Sequence, residues 1–326
     1  MAFWRSFAVW LALIAATPAL GDTMTVTSQY GPGRPQTVFW EVFRDRINEA
    51  LPGRFDVRIV TGGALGGEKE EAQAIRLGSI DGALSTVANL TTWVPEGAAL
   101  DLPFIFDGPD HIVAALSGPA GERLIAAYRN EQFIVPAFII FGARHVIGDA
   151  AFETPDDLDG VTVRSLQADL HVAFWRALGA NPTTLAITEA YGALSNGVVD
   201  AMDMTMSGYD ALKLFEAAPV LSETAHIWAI GVVYFSENFW SGLSAAEQDA
   251  VASAAQEAAL EFNRLAADEQ AAAMTRTEQK GAQRVSVDPD PWRAALSPFV
   301  SDYVSQSGDA ELSAVVGAIR AARTGD

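Results

Sequence analysis

The chain has 326 residues, half of them hydrophobic, and 41 acidic against 21 basic side chains give a net charge of −20. A surface of that sign repels phosphate backbones and anionic lipid, which argues against nucleic acid and membrane surfaces as partners. With no cysteine anywhere, disulfides, thiolate catalysis, thiolate metal sites and a lipid-modified cysteine are excluded together.

At the start, Arg5 and the free amine precede an apolar run from Phe7 to Ala16, and Ala19 and Gly21 are the small residues before a cut ahead of Asp22. The run is shorter than the roughly 20 residues that cross a bilayer. Residues 1–21 therefore read as a secretory signal, and the mature chain as a freely diffusing protein of the bacterial periplasm. Thr23 to Ser28 reads as a strand. Thr37 to Leu51 reads as a helix with Val38, Phe39, Val42, Phe43 and Ile47 on one face, stopped by Pro52-Gly53. Phe55 to Val60 is a further strand, and a glycine-rich loop from Gly62 to Gly67 leads into the next helix. Pro136 to Phe141, Val161 to Arg164, Val198 to Met202 and Ile230 to Phe235 complete the expected strands. Strand and helix in turn predict a doubly wound α/β architecture.

A chain of this length usually splits into two domains, and an internal echo supports a split here. Glu70 to Gly82 and Glu189 to Ala201 match in spacing and character. In each, a helix runs to a glycine suited to a left-handed cap, Gly78 or Gly197, and a short apolar strand leaves it. The alternative is that helix, glycine and strand recur in any α/β protein. Farther on, Ser244-Ala-Ala-Glu247 is a capping box opening a helix that need not end before Gly281. At 1.5 Å per residue that helix is about 50 Å long, enough to lie across two lobes.

Catalytic signatures are missing. Gly62 to Lys69 resembles a phosphate loop, but Glu68 stands where its lysine belongs. No dinucleotide-binding glycine motif follows a strand, and no nucleophile elbow is present. His111, His145, His171 and His226 are too dispersed for a local metal motif. No catalytic residue, metal or cofactor is therefore expected. Arg164 is different, because it ends the β-branched run Gly160-Val-Thr-Val-Arg164 and so should stand at a strand's carboxyl end, where open α/β sheets bind ligands.

That run, with Leu178-Gly-Ala-Asn-Pro182 and Glu189 to Asp200 after it, resembles the signature of the solute-binding proteins of tripartite ATP-independent periplasmic (TRAP) transporters, of the dicarboxylate-binding type. The same order continues in Leu65 to Glu70, Leu77 to Asp81, Leu100-Asp-Leu-Pro-Phe104, Gly142-Ala-Arg144, Ala186 to Tyr191 and Leu243-Ser244. The resemblance implies a two-lobed periplasmic-binding-protein-like α/β fold around a central cleft, with the long helix spanning both lobes. Lobe I would comprise 22–141 with 230–269, and lobe II 142–229 with 270–326. It further implies a monomeric receptor that captures a small organic acid and delivers it to TRAP permease subunits in the membrane. A binding protein of an ATP-driven importer is the runner-up, and an extracytoplasmic enzyme the third reading.

By the same resemblance Arg164 is the carboxylate clamp and Arg144 a second basic contact, the guanidinium fork matching a carboxylate with two parallel bonds. Glu68 and Thr86 in the first lobe, and Gln167 and Ile187 in the second, align with contacts to the ligand's remainder. Tyr30, Trp93 and Trp228 are candidate aromatic walls, although aromatics on such elements are more often core. Met204 stands where many relatives carry asparagine. With Ile187 it implies a small acid with a largely apolar body and disfavours a hydroxylated sugar acid.

Overall fold

The computed structural model describes residues 21–323. The expected secretory signal lies outside the described residues except for Gly21. Nine strands among the described residues form one sheet: β1 Asp22–Thr27, β2 Phe55–Val60, β3 Gly82–Thr86, β4 Phe133–Gly148, β5 Thr162–Ser165, β6 Asn181–Thr184, β7 Ala201–Thr205, β8 Val220–Ser236 and β9 Gln283–Ser286. The order is β2-β1-β3-β8-β4-β7-β5-β6, with β9 beside β8. Two parallel trios thus flank a central antiparallel pair, β4 and β8.

The two trios are built alike, which explains the sequence echo. The helix Glu68–Arg76 ends at Gly78 (φ +71°), and the Ser79 N–H closes back on Ala74 O at 3.0 Å. The helix Ala190–Ser195 ends at Gly197 (φ +66°), and the Val198 N–H closes on Ala193 O at 2.8 Å. Both are the six-to-one closure of a left-handed glycine cap. The next aspartate repeats the match: the Asp81 carboxylate accepts from Thr25 N at 2.7 Å and that of Asp200 from Thr162 N at 3.0 Å. Because Val198 and Val199 are drawn into the second cap, β7 begins at Ala201 rather than at the expected Val198.

The central strands exceed expectation. Pro136–Phe141 and Ile230–Phe235 are parts of a 16-residue β4 and a 17-residue β8. Their pairing slips near Pro136, which lacks an N–H, between Ile140 and Gly142, and again between Arg144 and Val146. Gly142 has φ +124°, a conformation that favours glycine. There a β-carbon would fall 2.8 Å from the Gln270 side chain.

The capping box is formed, with Glu247 accepting from Ser244 N at 2.8 Å, and the helix runs Ala245–Glu278 for 34 residues. Its alanine-rich stripe and Phe262 enter the core that holds β1, β2 and the helix Pro35–Ala50, while Met274 enters a separate core with Met204 and Tyr209. The helix therefore serves both halves. Farther on, Pro289–Ser307 places Trp292 and Leu296 in the core around β5 and Val300 in a core of the first half. The last helix, Ala310–Ala321, buries Leu312, Val315, Val316 and Ile319 in that same first-half core. This apolar stripe at helical spacing needs an apolar partner. The lobe division inferred from the sequence gave 310–321 to the second lobe; by its packing this helix belongs with the first. Among the described residues no helix is long and apolar enough to cross a membrane.

Candidate functional site

Strand β5 alternates its faces, so Val163 enters the core while Arg164 points the other way at the strand's carboxyl end. Arg164 is only 4% exposed. Its Nε donates to Leu185 O at 3.0 Å, and its two terminal nitrogens make no hydrogen bond or ion pair among the described residues. Burial and, after it, the nearby Arg144 push the Arg164 guanidinium down to about 10, which still leaves it charged at neutral pH. A buried guanidinium with a free fork lacks a counter-anion.

Arg144, on β4, is already paired. Its Nε meets Asp203 Oδ2 at 2.5 Å, and its Nη2 meets Oδ1 at 2.7 Å and the Asp203 carbonyl at 3.0 Å. Burial pushes the Asp203 carboxyl up, but Arg144 and His226 outweigh it and hold that carboxyl well below the usual range. His226 completes the group at 3.4 Å from Asp203, fully buried and stacked on Trp292. Only Nη1 of Arg144 lacks a hydrogen-bond partner among the described residues. The two arginines therefore differ: Arg164 offers a whole fork and a bare charge, Arg144 one nitrogen and a charge that Asp203 has balanced.

The first half contributes Glu68, Thr86, Asn89 and Tyr30. Glu68, at the start of its helix, accepts from Thr86 Oγ1 at 3.0 Å and from Asn89 Nδ2. Burial raises its carboxyl, opposed by those hydrogen bonds and by Arg164. Tyr30, whose hydroxyl is unpaired among the described residues, is raised by burial and then by Glu68, while Arg144 and Arg164 pull it down. These mutual effects bring Tyr30, Glu68, Arg144 and Arg164 into one electrostatic cluster, and Thr86 with them. Gln167 is half-buried and without a side-chain hydrogen bond in the loop after β5, and its neighbours Leu166 and Ala168 pack on Ala88 of the other half. The glycine loop meets the second half as well. A β-carbon on Gly63 would lie 3.0 Å from Thr188 Cγ2, and one on Gly67 3.3 Å from Ala186 Cβ. The 62–67 loop thus packs against residues 186–188 of the second half. Gly67→Leu is expected to wedge this contact and weaken binding by about 1–3 kcal/mol, the usual overpacking cost, which titration calorimetry would measure.

The remaining expected residues have packing partners outside the arginine cluster. Ile187 is half-buried against the core that holds Met204. Trp93 packs on Phe133 at 5.8 Å beneath the Arg76 guanidinium. Trp228 lines an apolar cavity of about 430 Å³ between β4 and the long helix, with Phe141, Met206 and Gln270 and none of the arginine cluster. Met204 is 5% exposed in an apolar core, its Cε filling the place a Gly208 β-carbon would take. An asparagine there would bury an amide in apolar surroundings. Met204→Asn is expected to lower stability by about 2–4 kcal/mol, combining lost packing with an unpaired polar group, as a denaturant titration would show.

Asp203 and Asn89 were not singled out in the sequence. The one available signal was an acid inside the apolar run Ala201-Met-Asp-Met, since a buried carboxylate needs a partner. Nothing local identified that partner as Arg144, 59 residues away.

Residues 26–307 match the family model of the bacterial extracellular solute-binding proteins, family 7. A solute-binding protein of Verminephrobacter eiseniae is 29% identical over 300 residues, 91% of this chain and 89% of that protein. Among solved structures, a TRAP periplasmic solute-binding protein of a Bradyrhizobium species in complex with galacturonate is 29% identical with a TM-score of 0.88, covering 92% of this chain and 99% of that one. One from Chromohalobacter salexigens with bound D-glucuronate is 27% identical with a TM-score of 0.88, covering 92% of this chain and 100% of that one. With the matching model spanning most of the chain, this protein belongs to the family 7 extracellular solute-binding proteins, the receptors of TRAP transporters for small organic acids.

Proposed function

We propose that this receptor takes a hydroxylated organic acid, a uronate or related sugar acid, with its carboxylate on the free fork of Arg164. The carrying observation is the 4% exposed guanidinium whose terminal nitrogens have no partner among the described residues. Arg144 Nη1 would add a second donor. Glu68, fixed by Thr86 and Asn89, would accept from a ligand hydroxyl, and Tyr30 and Gln167 would supply further polar contacts. The relatives solved with galacturonate and glucuronate, at 29% and 27% identity, support that class. The preference for an apolar body drawn from Met204 loses its ground, because Met204 is committed to a core.

On this reading the protein is secreted through residues 1–21, acts as a monomer in the periplasm and releases its ligand unchanged to the permease. No catalytic residue or metal is assigned to it, and among the described residues no group of three metal-ligating side chains occurs. A thermal-shift panel of D-galacturonate, D-glucuronate and short dicarboxylates tests the class. Ligand at 100 times its dissociation constant adds about 2.7 kcal/mol of folding stability, so a uronate is expected to give the largest shift. A short apolar carboxylate outranking every uronate would reject the class while leaving the clamp intact. Recovery of the acid chemically altered after incubation would reject the receptor reading.

A further inference from the structure

A second concentration of positive charge lies in a cavity of about 240 Å³ where the helix Pro289–Ser307 meets the last helix and the turn at Phe104. Arg293, Arg320 and Arg323 line it with the hydroxyl-bearing Ser297 and Ser301, and no acidic side chain does. Arg293, Ser297 and Ser301 recur every four residues and so share one helix face. The side chains of Arg293 and Arg320 make no ion pair or hydrogen bond among the described residues. Arg293 lies over the Phe104 ring at 4.5 Å, and only Arg323 is neutralised, by Asp107 at 3.0 Å. Both serines are exposed, and neither hydroxyl is engaged by a protein group among the described residues, so both are open to a ligand.

The backbone is also unusual there. Phe104 has φ +54°, a left-handed conformation that an aromatic residue adopts only when its surroundings impose it. Its N–H donates to His226 O at 2.9 Å, which fixes the turn. The helix crosses cores at this point, with Leu296 in the core around β5 and Val300 in that of the first half. In a chain of net charge −20, Arg293 and Arg320, both exposed and without an acidic partner among the described residues, face one concavity with two exposed hydroxyls, an arrangement that favours an anion there.

We propose that this cavity binds a small, multiply charged oxyanion, phosphate or a compact polycarboxylate, gripped by Arg293 and Arg320 and hydrogen-bonded by Ser297 and Ser301. Its volume is below that of drug-sized sites, about 300–1,000 Å³, which suits an ion rather than a larger ligand. It shares no lining residue with the Arg164 cluster, so the two sites are separable by mutation.

Calorimetric titration of the purified protein with inorganic phosphate, and separately with citrate, at ionic strength fixed with sodium chloride, is the test. Wild type, Arg164→Ala and the double variant Arg293→Gln/Arg320→Gln are compared, with melting curves confirming that each is folded. One phosphate per chain is expected, unchanged within about twofold by Arg164→Ala and weakened at least about tenfold by the double variant, and one citrate that remains in Arg164→Ala and is weakened likewise by the double variant. Saturable binding of phosphate alone would identify a phosphate site, and of citrate alone a carboxylate site. No saturable binding of either up to about 10 mM, equal binding by the double variant, or loss of phosphate binding in Arg164→Ala would overturn the proposal.

Discussion

Replacing Arg164 by alanine is expected to cost about 2–5 kcal/mol of ligand binding, because the variant leaves a desolvated carboxylate without its charge partner. Arg164→Lys should not restore it, since an ammonium offers a point charge where the cleft is built for a fork. The unliganded protein should respond in the opposite direction. Burial and Arg144 both push the Arg164 guanidinium down to about 10, and a cation whose folded value lies below its unfolded one opposes folding. Arg164→Ala should therefore melt no lower than wild type without ligand, so that calorimetry records lost binding while the melt records unchanged or higher stability. A variant that lost both together would point to a structural arginine.

Removing the partner of the other arginine should do the reverse. Asp203→Ala strands Arg144 as an uncompensated buried cation beside Arg164, and breaking a buried pair in this way costs about 3–5 kcal/mol of stability. The buried His226 loses the carboxylate of Asp203, 3.4 Å away, at the same time. The pair also sets an acid limit. Asp203 is held well below the usual carboxylate range when folded, so its contribution is complete above the unfolded value of about 3.9 and disappears as pH falls through the folded one. Urea unfolding of wild type and Asp203→Ala at pH 7 and near pH 3 should show a difference that shrinks in acid. A constant difference across that range would remove the carboxylate from the explanation.

These two arginines also show what a sequence can reveal. Arg164 was legible because a short β-branched run places its last residue at a strand end, a local property. Arg144 was legible only by resemblance, and its commitment to Asp203 depends on β4 and β7 lying side by side, which no local pattern specifies. The paired glycine caps at Gly78 and Gly197 were readable because left-handed backbone demands particular residues, and the Ser244 box because its partners are three residues apart. The full extent of β4 and β8 was hidden, since the first half of β8 carries the polar residues Ser222 to Thr224 and His226, and β4 is broken in pattern by Pro136 and Gly142. Met204 was read from the sequence as a ligand contact, and its packing on Gly208 within an apolar core could not be seen there, because it depends on how β7 meets the helix after it.

A crystal structure of the protein with D-galacturonate or D-glucuronate bears most directly on the central claim. The sugar carboxylate is expected to meet both terminal nitrogens of Arg164 at about 2.7–2.9 Å, with Arg144 Nη1 beside it and Glu68 accepting from a ring hydroxyl. An acid bound in the apolar cavity at Trp228, or in the cleft with its carboxylate turned away from Arg164, would contradict the account.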